Sequence, residues 1–191
     1  MAQEFFVLEG NDSPTTNDDW LEYLVRFRQS IKCVGFDLDK AKGIAAALGE
    51  MADNATIHAN SPAGVLVGYQ VSEGVTVCSV ADVGIGVLQS LTSTDAYRHL
   101  RTHKEAIRLA LHTGVSRFGP GNGGTGFYSV FKALAAMRGT LRFRSGEGVV
   151  MMDGTDFDAD KGEEGYVIFR PGFQLTICCR TSSGSDPYPL V

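Results

Sequence analysis

The sequence predicts an α+β fold, a two-layer sandwich in which helices cover one face of a mixed, mostly antiparallel sheet. Two patterns and a length carry this expectation. β-rich runs are separated by hairpin-length turns, as at Ser72-Glu73-Gly74, and they are interleaved with segments whose apolar residues recur every three or four positions. The 191 residues, 43% hydrophobic and 20% charged, suffice for one sizeable core and leave little room for a second. The expected organisation is one domain over 1–180, its first 37 residues a strand-and-helix extension, with a flexible tail over 181–191.

Phe5 to Leu8 reads as a short strand. Asp18 and Asp19 then open a helix whose stripe is Trp20, Leu21, Leu24, Val25 and Phe27. A longer helix is expected from about Leu38 or Asp39 to Ala59, because Ile44, Ala47, Leu48, Met51 and Ala55 share a face before Asn60, Ser61 and Pro62 stop it. Val65 to Val71 and Val75 to Val80 predict an antiparallel hairpin. Further on, a helix lies within Thr102 to His112, and another runs from Phe127 to Arg138 with Gly139 as its C-terminal cap. Thr140 to Ser145, Gly165 to Arg170 and Gln174 to Arg180 read as closing strands, with a polar, turn-rich stretch over 153–165.

Charge and cysteines narrow the function classes. With Lys+Arg 17 against Asp+Glu 22 the net charge is −5, so no general basic field exists to hold a nucleic-acid backbone. Cys33, Cys78, Cys178 and Cys179 form no CxxC and have no His at zinc-finger spacing, which predicts buried thiols in a reducing compartment. No basic, apolar leader opens the chain and no run approaches the roughly 18–20 apolar residues that span a bilayer. A cytoplasmic protein with no membrane or nucleic-acid partner is the expectation.

Three constellations carry chemistry. Glu50, Asn54 and His58 fall at i, i+4 and i+8 and form one polar ridge, with Asp53 beside it. Glu50 suits the activation of a water, and the amide oxygen of Asn54 is a hard ligand of the kind Mg²⁺ accepts beside phosphate oxygens; a plain solvated helix face has the same composition. Asp82 ends an apolar strand directly before Gly84 and Gly86. A partly buried carboxylate there must accept hydrogen bonds, which a base amino group would supply, and the glycines would admit a flat ring. A strand-ending Asp in an ordinary glycine turn gives the same string. The third constellation is Gly119 to Gly126, in which Gly121, Gly123, Gly124, Thr125 and Gly126 precede the Phe127 helix; free N–H groups and the helix dipole favour an anion there, while a flexible connector would look alike. Gly121, Gly123 and Gly126 also spell GxGxxG, with Glu147 about 20 residues on, but no strand runs into that loop as a dinucleotide fold requires. No GxxxxGK[ST] occurs, which removes the P-loop.

In order, ALGEMADNATIHA (47–59), VADVGIG (80–86) and GNGGTGFYSVFKALAAMRGTLRFRSGEG (121–148) resemble the N, G1 and G2 boxes of the GHKL ATPases, the gyrase, Hsp90, histidine-kinase and MutL superfamily. The match spans about residues 38–180 and implies a Bergerat-type sandwich. It makes Asn54 the Mg²⁺ ligand, Asp82 the acceptor for the adenine amino group, and Gly84 and Gly86 the lining of the base. Gly121, Gly123, Gly124, Thr125 and Gly126 would belong to an ATP lid, within a long connection from Gln89 to Gly126, and hold the triphosphate. Glu50 stands where one branch carries its water-activating Glu, although anti-sigma kinases have Glu there too. The sequence departs where many relatives have Gly-Thr near the final strand: it has Gly172-Phe173, with Thr176 three residues on. No His precedes His58 and no coiled-coil helix pair presents a phosphoacceptor, which excludes a complete sensor kinase.

KEAIRLALHTGVSRFG (104–119) is most similar to stand-alone prokaryotic histidine-kinase-like ATP-binding proteins. The resemblance implies ATP and Mg²⁺ as cofactors, slow hydrolysis coupled to lid closure, and control of a protein partner. An anti-sigma-type serine/threonine kinase and a non-catalytic ATP-gated interaction module stay open, as does a homodimer or docking surface formed by the first 35 or so residues.

Overall fold

The structure is a computed structural model that describes residues 1–9, 16–58, 60–112, 134, 139–153 and 162–181. Its elements in chain order are β1 (Ala2–Leu8), α1 (Asp18–Cys33), α2 (Leu38–His58), β2 (Val65–Ser72), β3 (Val75–Asp82), α3 (Gly86–Thr92), a 3-10 turn (Asp95–Tyr97), α4 (His103–Leu111), β4 (Thr140–Asp153) and β5 (Glu163–Arg180). The strands form one sheet in the order β1-β2-β3-β5-β4, and every described pairing is antiparallel.

Alternation along the strands separates the two faces of the sheet. Because Leu8 and Asp82 both pair with Val65, the inward set runs across neighbouring strands: Leu8, then Val65, Val67, Tyr69 and Val71, then Cys78, Val80 and Asp82. Leu175, Ile177 and Cys179 of β5 and Leu141, Phe143 and Ser145 of β4 continue it. The described helices α1, α2 and α4 lie against this face, and the inward residues share one buried cluster with α1, α2, Ile107 and Leu111. The α+β, two-layer expectation holds.

Local chemistry explains the helices. The side chain of Asn17 accepts from the Trp20 N–H at 2.9 Å, which fixes the start of α1, and Asp18 and Asp19 lie favourably in its first turn. Trp20, Tyr23, Phe27 and Ile31 then bury one stripe. Trp20 and Tyr23 stack at 5.3 Å, and Phe27 stacks on Tyr69 of β2 at 4.5 Å. β1 and α1 are therefore built into the core: β1 is an edge strand of the sheet and α1 caps β2. Glu4 of β1 completes the join, bonded to Arg26 at 2.7 Å and accepting from the Tyr69 hydroxyl at 2.8 Å. In α2 the inward side is Ala41, Ile44, Ala45, Ala47, Leu48, Met51, Ala52 and Ala55, small enough to let the helix lie close to β2 and β3.

Several boundaries differ from the sequence reading. β4 does not stop at Ser145 but continues to Asp153, because Val149, Val150 and Met152 remain buried beyond an irregularity at Ser145–Gly148. The two strands expected over 165–170 and 174–180 are one strand, β5, in which Pro171 and Gly172 have no partner in the β4 register. The connection after Gln89 is structured as far as Leu111: α3, the 3-10 turn and α4 gather Leu91, Tyr97, Leu100 and Ala106 into a second small core. Thr102 opens α4 with a reciprocal capping box to Glu105. The helix expected over 127–138 and the tail over 182–191 lie outside the described residues, apart from Leu134, which is helical and buried. Thr181 is tied down, its N–H donating to the Gly74 carbonyl at 2.9 Å. Not all four thiols are buried as expected, since Cys33 at the end of α1 is exposed. Among the described residues no helix is long and apolar enough to cross a membrane.

Candidate functional site

Asp82 is the last residue of β3 and, by alternation, its side chain belongs to the inward face opposite Val65. Among the described residues it is one of four buried polar ones, 7% exposed. Its Oδ1 accepts from the Gly84 N–H at 2.6 Å, and the Phe173 N–H also donates to the carboxylate. Oδ2 is buried and has no partner among the described residues. Burial pushes the Asp82 carboxyl up to about 6, against the pull of the two N–H groups. A carboxylate left with one vacant acceptor is costly unless something outside the described residues satisfies it.

The glycines around Asp82 are needed for two reasons. Gly172 sits at φ +75, and a Cβ there would fall on the Asp82 carbonyl and 2.6 Å from Oδ1. Gly86, at φ +71, is buried, and a Cβ on it would lie 2.9 Å from the Ser145 Oγ and 3.1 Å from the Gly172 carbonyl. Ser145 of β4 ties α3 to β5: its Oγ accepts from the Val87 N–H at 2.9 Å and donates to the Gly172 carbonyl at 3.0 Å. The Gly86 conformation is thus demanded by the protein's own packing, whatever it lines. Gly84 supplies the N–H that holds Asp82 in place.

No protein-family model matches the chain, and no curated protein matches it. What the site can do is therefore argued from its own geometry. The second helix ends at His58, seven residues before Val65, the partner of Asp82, so the C-terminus of α2 and Asp82 lie toward the same end of the sandwich. Glu50 is exposed, while Asp53, Asn54 and His58 are half-buried beside the inward stripe of Met51 and Ala55. Burial, with the nearby Glu50 charge, raises the Asp53 carboxyl above its usual range. Gly121, Gly123, Gly124, Thr125 and Gly126 lie outside the described residues.

Sequence reasoning missed Ser145 and the Phe173 N–H. A serine in a strand carries no signal that its hydroxyl ties a helix to another strand, and a backbone donor carries no sequence signal at all. Pro171-Gly172 was the visible clue, being a strong punctuation of the chain. Thr176 is not a second polar group for the Asp82 site: it lies on the opposite face of the sheet, its hydroxyl 2.7 Å from that of Ser79. Phe173 turns inward instead, edge-on to Phe143 at 5.7 Å.

Proposed function

We propose that this chain is a stand-alone GHKL-type domain that binds ATP with Mg²⁺, with Asp82 as the acceptor for the adenine amino group. The observation that carries the reading is the buried Asp82 carboxylate: Gly84 and Phe173 orient it, and Oδ2 is left free to accept a hydrogen bond. An exocyclic amine satisfies such an oxygen, and the cavity beside Asp82 has Ala81, Val83 and Phe173 in its lining, apolar surface suited to a flat ring. The residue after Gly172, where the resemblance lacks its Thr, supports the reading from its backbone, since the Phe173 N–H holds Asp82.

Asn54 fits the proposed Mg²⁺ in kind. Mg²⁺ keeps several waters and takes one or two protein oxygens together with substrate phosphates, so a single half-buried amide on the same end of the molecule meets its chemistry. The ion would neutralise phosphate charge. Glu50, exposed one turn before Asn54, is free to accept a proton from a water, which supports slow hydrolysis over a purely gating role. Lid closure over the glycine segment and control of a protein partner in the cytoplasm complete the proposal.

The discriminating experiment compares ATP with inosine triphosphate, which carries an exocyclic carbonyl oxygen where adenine has its amine. ATP is expected to bind at least about tenfold more tightly, the cost of opposing two acceptors in a buried site. Equal affinity for the two nucleotides would remove Asp82 as the anchor.

A further inference from the structure

Among the described residues the outward positions of β1, β2 and β3 stay open to solvent. Gln3, Phe5 and Val7 of β1, Leu66 and Gln70 of β2, and Val77, Ser79 and Ala81 of β3 point away from the buried set. Phe5 is 69% exposed, Val7 53% and Leu66 47%, although all three lie within paired strands. The Phe5 ring rests on Gly68, where a Cβ would lie 2.6 Å from it. Beside that ring a shallow cavity of about 320 Å³ is lined by Gln3, Leu66, Gln70, Val77 and Ala81 among others. No outward position of these three strands carries a charged side chain, in a sequence of which 20% is charged.

We propose that this face is a dimer interface whose occupant is the same face of a second copy of the chain. A twofold contact brings each side chain near its own copy, so charge is tolerated only where opposite signs are matched, and a neutral patch meets that condition in any register. A charged foreign partner finds nothing on these three strands to pair with. The shape is self-complementary as well: Phe5 is a raised apolar point next to a hollow bordered by Leu66 and Val77, so the ring of one copy can enter the hollow of the other. Arg142 and Arg144 project outward from β4 at the far margin of the face and would repel their own copies, which places the axis over β1 to β3. With strands about 4.8 Å apart and about 3.4 Å per residue, β1, β2, β3 and the facing part of β5 present a plan area of about 450 Å² per copy, or about 900 Å² for two before side-chain relief is added. Specific interfaces begin near roughly 1,000 Å², so the dimer is weak, with a dissociation constant of about 1–100 μM. Withdrawal of Phe5, Val7 and Leu66 from water drives it. The interface uses neither Asp82 nor α2 and does not depend on the nucleotide reading.

The test is sedimentation equilibrium of the full chain, without nucleotide, over about 1–200 μM. A reversible monomer–dimer equilibrium is expected. Phe5→Glu and Leu66→Glu each bring two unpaired charges into the contact and are expected to weaken it at least about tenfold. Ile168→Glu is the control: Ile168 is 86% exposed on the distal part of β5, outside the patch, and its loss should leave the equilibrium unchanged. Thermal melts at a concentration where the parent is monomeric separate loss of the dimer from loss of the fold, and Leu66→Gln, which removes the apolar contact without adding charge, serves if a charged variant does not fold. Because the patch is neutral, added salt is expected to leave the dimer intact. A chain that stays monomeric to about 200 μM, or a dimer that salt dissociates, would overturn the proposal. So would a dimer that keeps its affinity in both Leu66 variants, since it would pair through the edge of β1 instead. None of these outcomes bears on whether ATP binds.

Discussion

Asp82 holds its proton more tightly in the folded chain than out of it, since burial lifts its carboxyl from 3.8 to about 6. Below pH 3.8 the group is protonated in both states and burial costs little. As pH rises through 6 the folded chain must ionise a buried carboxyl, so stability is lost across that window. Asp82→Asn removes the titration. Its stability relative to the parent is expected to rise by about 1–2 kcal/mol between pH 4 and pH 7, read from urea melts at each pH; a pH-independent difference would show that Asp82 is not buried as described. Gly172→Ala acts on the same carboxylate from its neighbour. With φ +75 and no space beside Asp82, the added methyl is expected to cost roughly 2–4 kcal/mol and to displace the anchor, lowering ATP affinity together with stability.

The second helix carries the proposed chemistry on its exposed side and the packing on the other, so substitutions on it should separate function from stability. Glu50→Ala removes an exposed side chain and is expected to change stability by less than about 0.5 kcal/mol. On the proposed reading it retains ATP binding and loses Mg²⁺-dependent phosphate release; release that persists would take Glu50 out of the mechanism. The stripes of α1 and α2, the β2–β3 hairpin and α4 were legible because apolar period and caps are local signals, written within a few residues of where they act. The length of β4 and the unity of β5 were not, because they depend on Val149, Val150 and Met152 finding partners more than ten residues away across a bulge. The third helix was missed for a related reason: Gly86-Val87-Leu88-Gln89-Ser90-Leu91-Thr92 is one short stretch without a capping side chain, and it is held by Ser145 from another strand. Of the site, Asp82 and Gly84 were visible as types in a pattern, whereas the Phe173 donor and the Ser145 tie exist only once β3, β4, β5 and α3 meet.

At the scale of the molecule, β1 and α1 pack into the same core as the sheet that ends in Asp82. Phe27 is fully buried against Tyr69, and Phe27→Ala is expected to cost about 3–5 kcal/mol in thermal or chemical unfolding, a large part of a domain's stability. Removal of residues 1–37 strips an edge strand and the cover of β2, and the truncated chain should show no cooperative transition. The inward face of the sheet holds the core and the Asp82 carboxylate. The central claim, an adenine anchor at the end of β3, is tested most directly by calorimetric titration of the parent chain and Asp82→Asn with ATP, with and without Mg²⁺, alongside NADH. Saturable binding of ATP that Mg²⁺ strengthens, that Asp82→Asn weakens by at least about a hundredfold while the fold is retained, and that NADH does not reproduce is the result expected. Tight NADH binding, or ATP binding indifferent to Asp82→Asn, would contradict it.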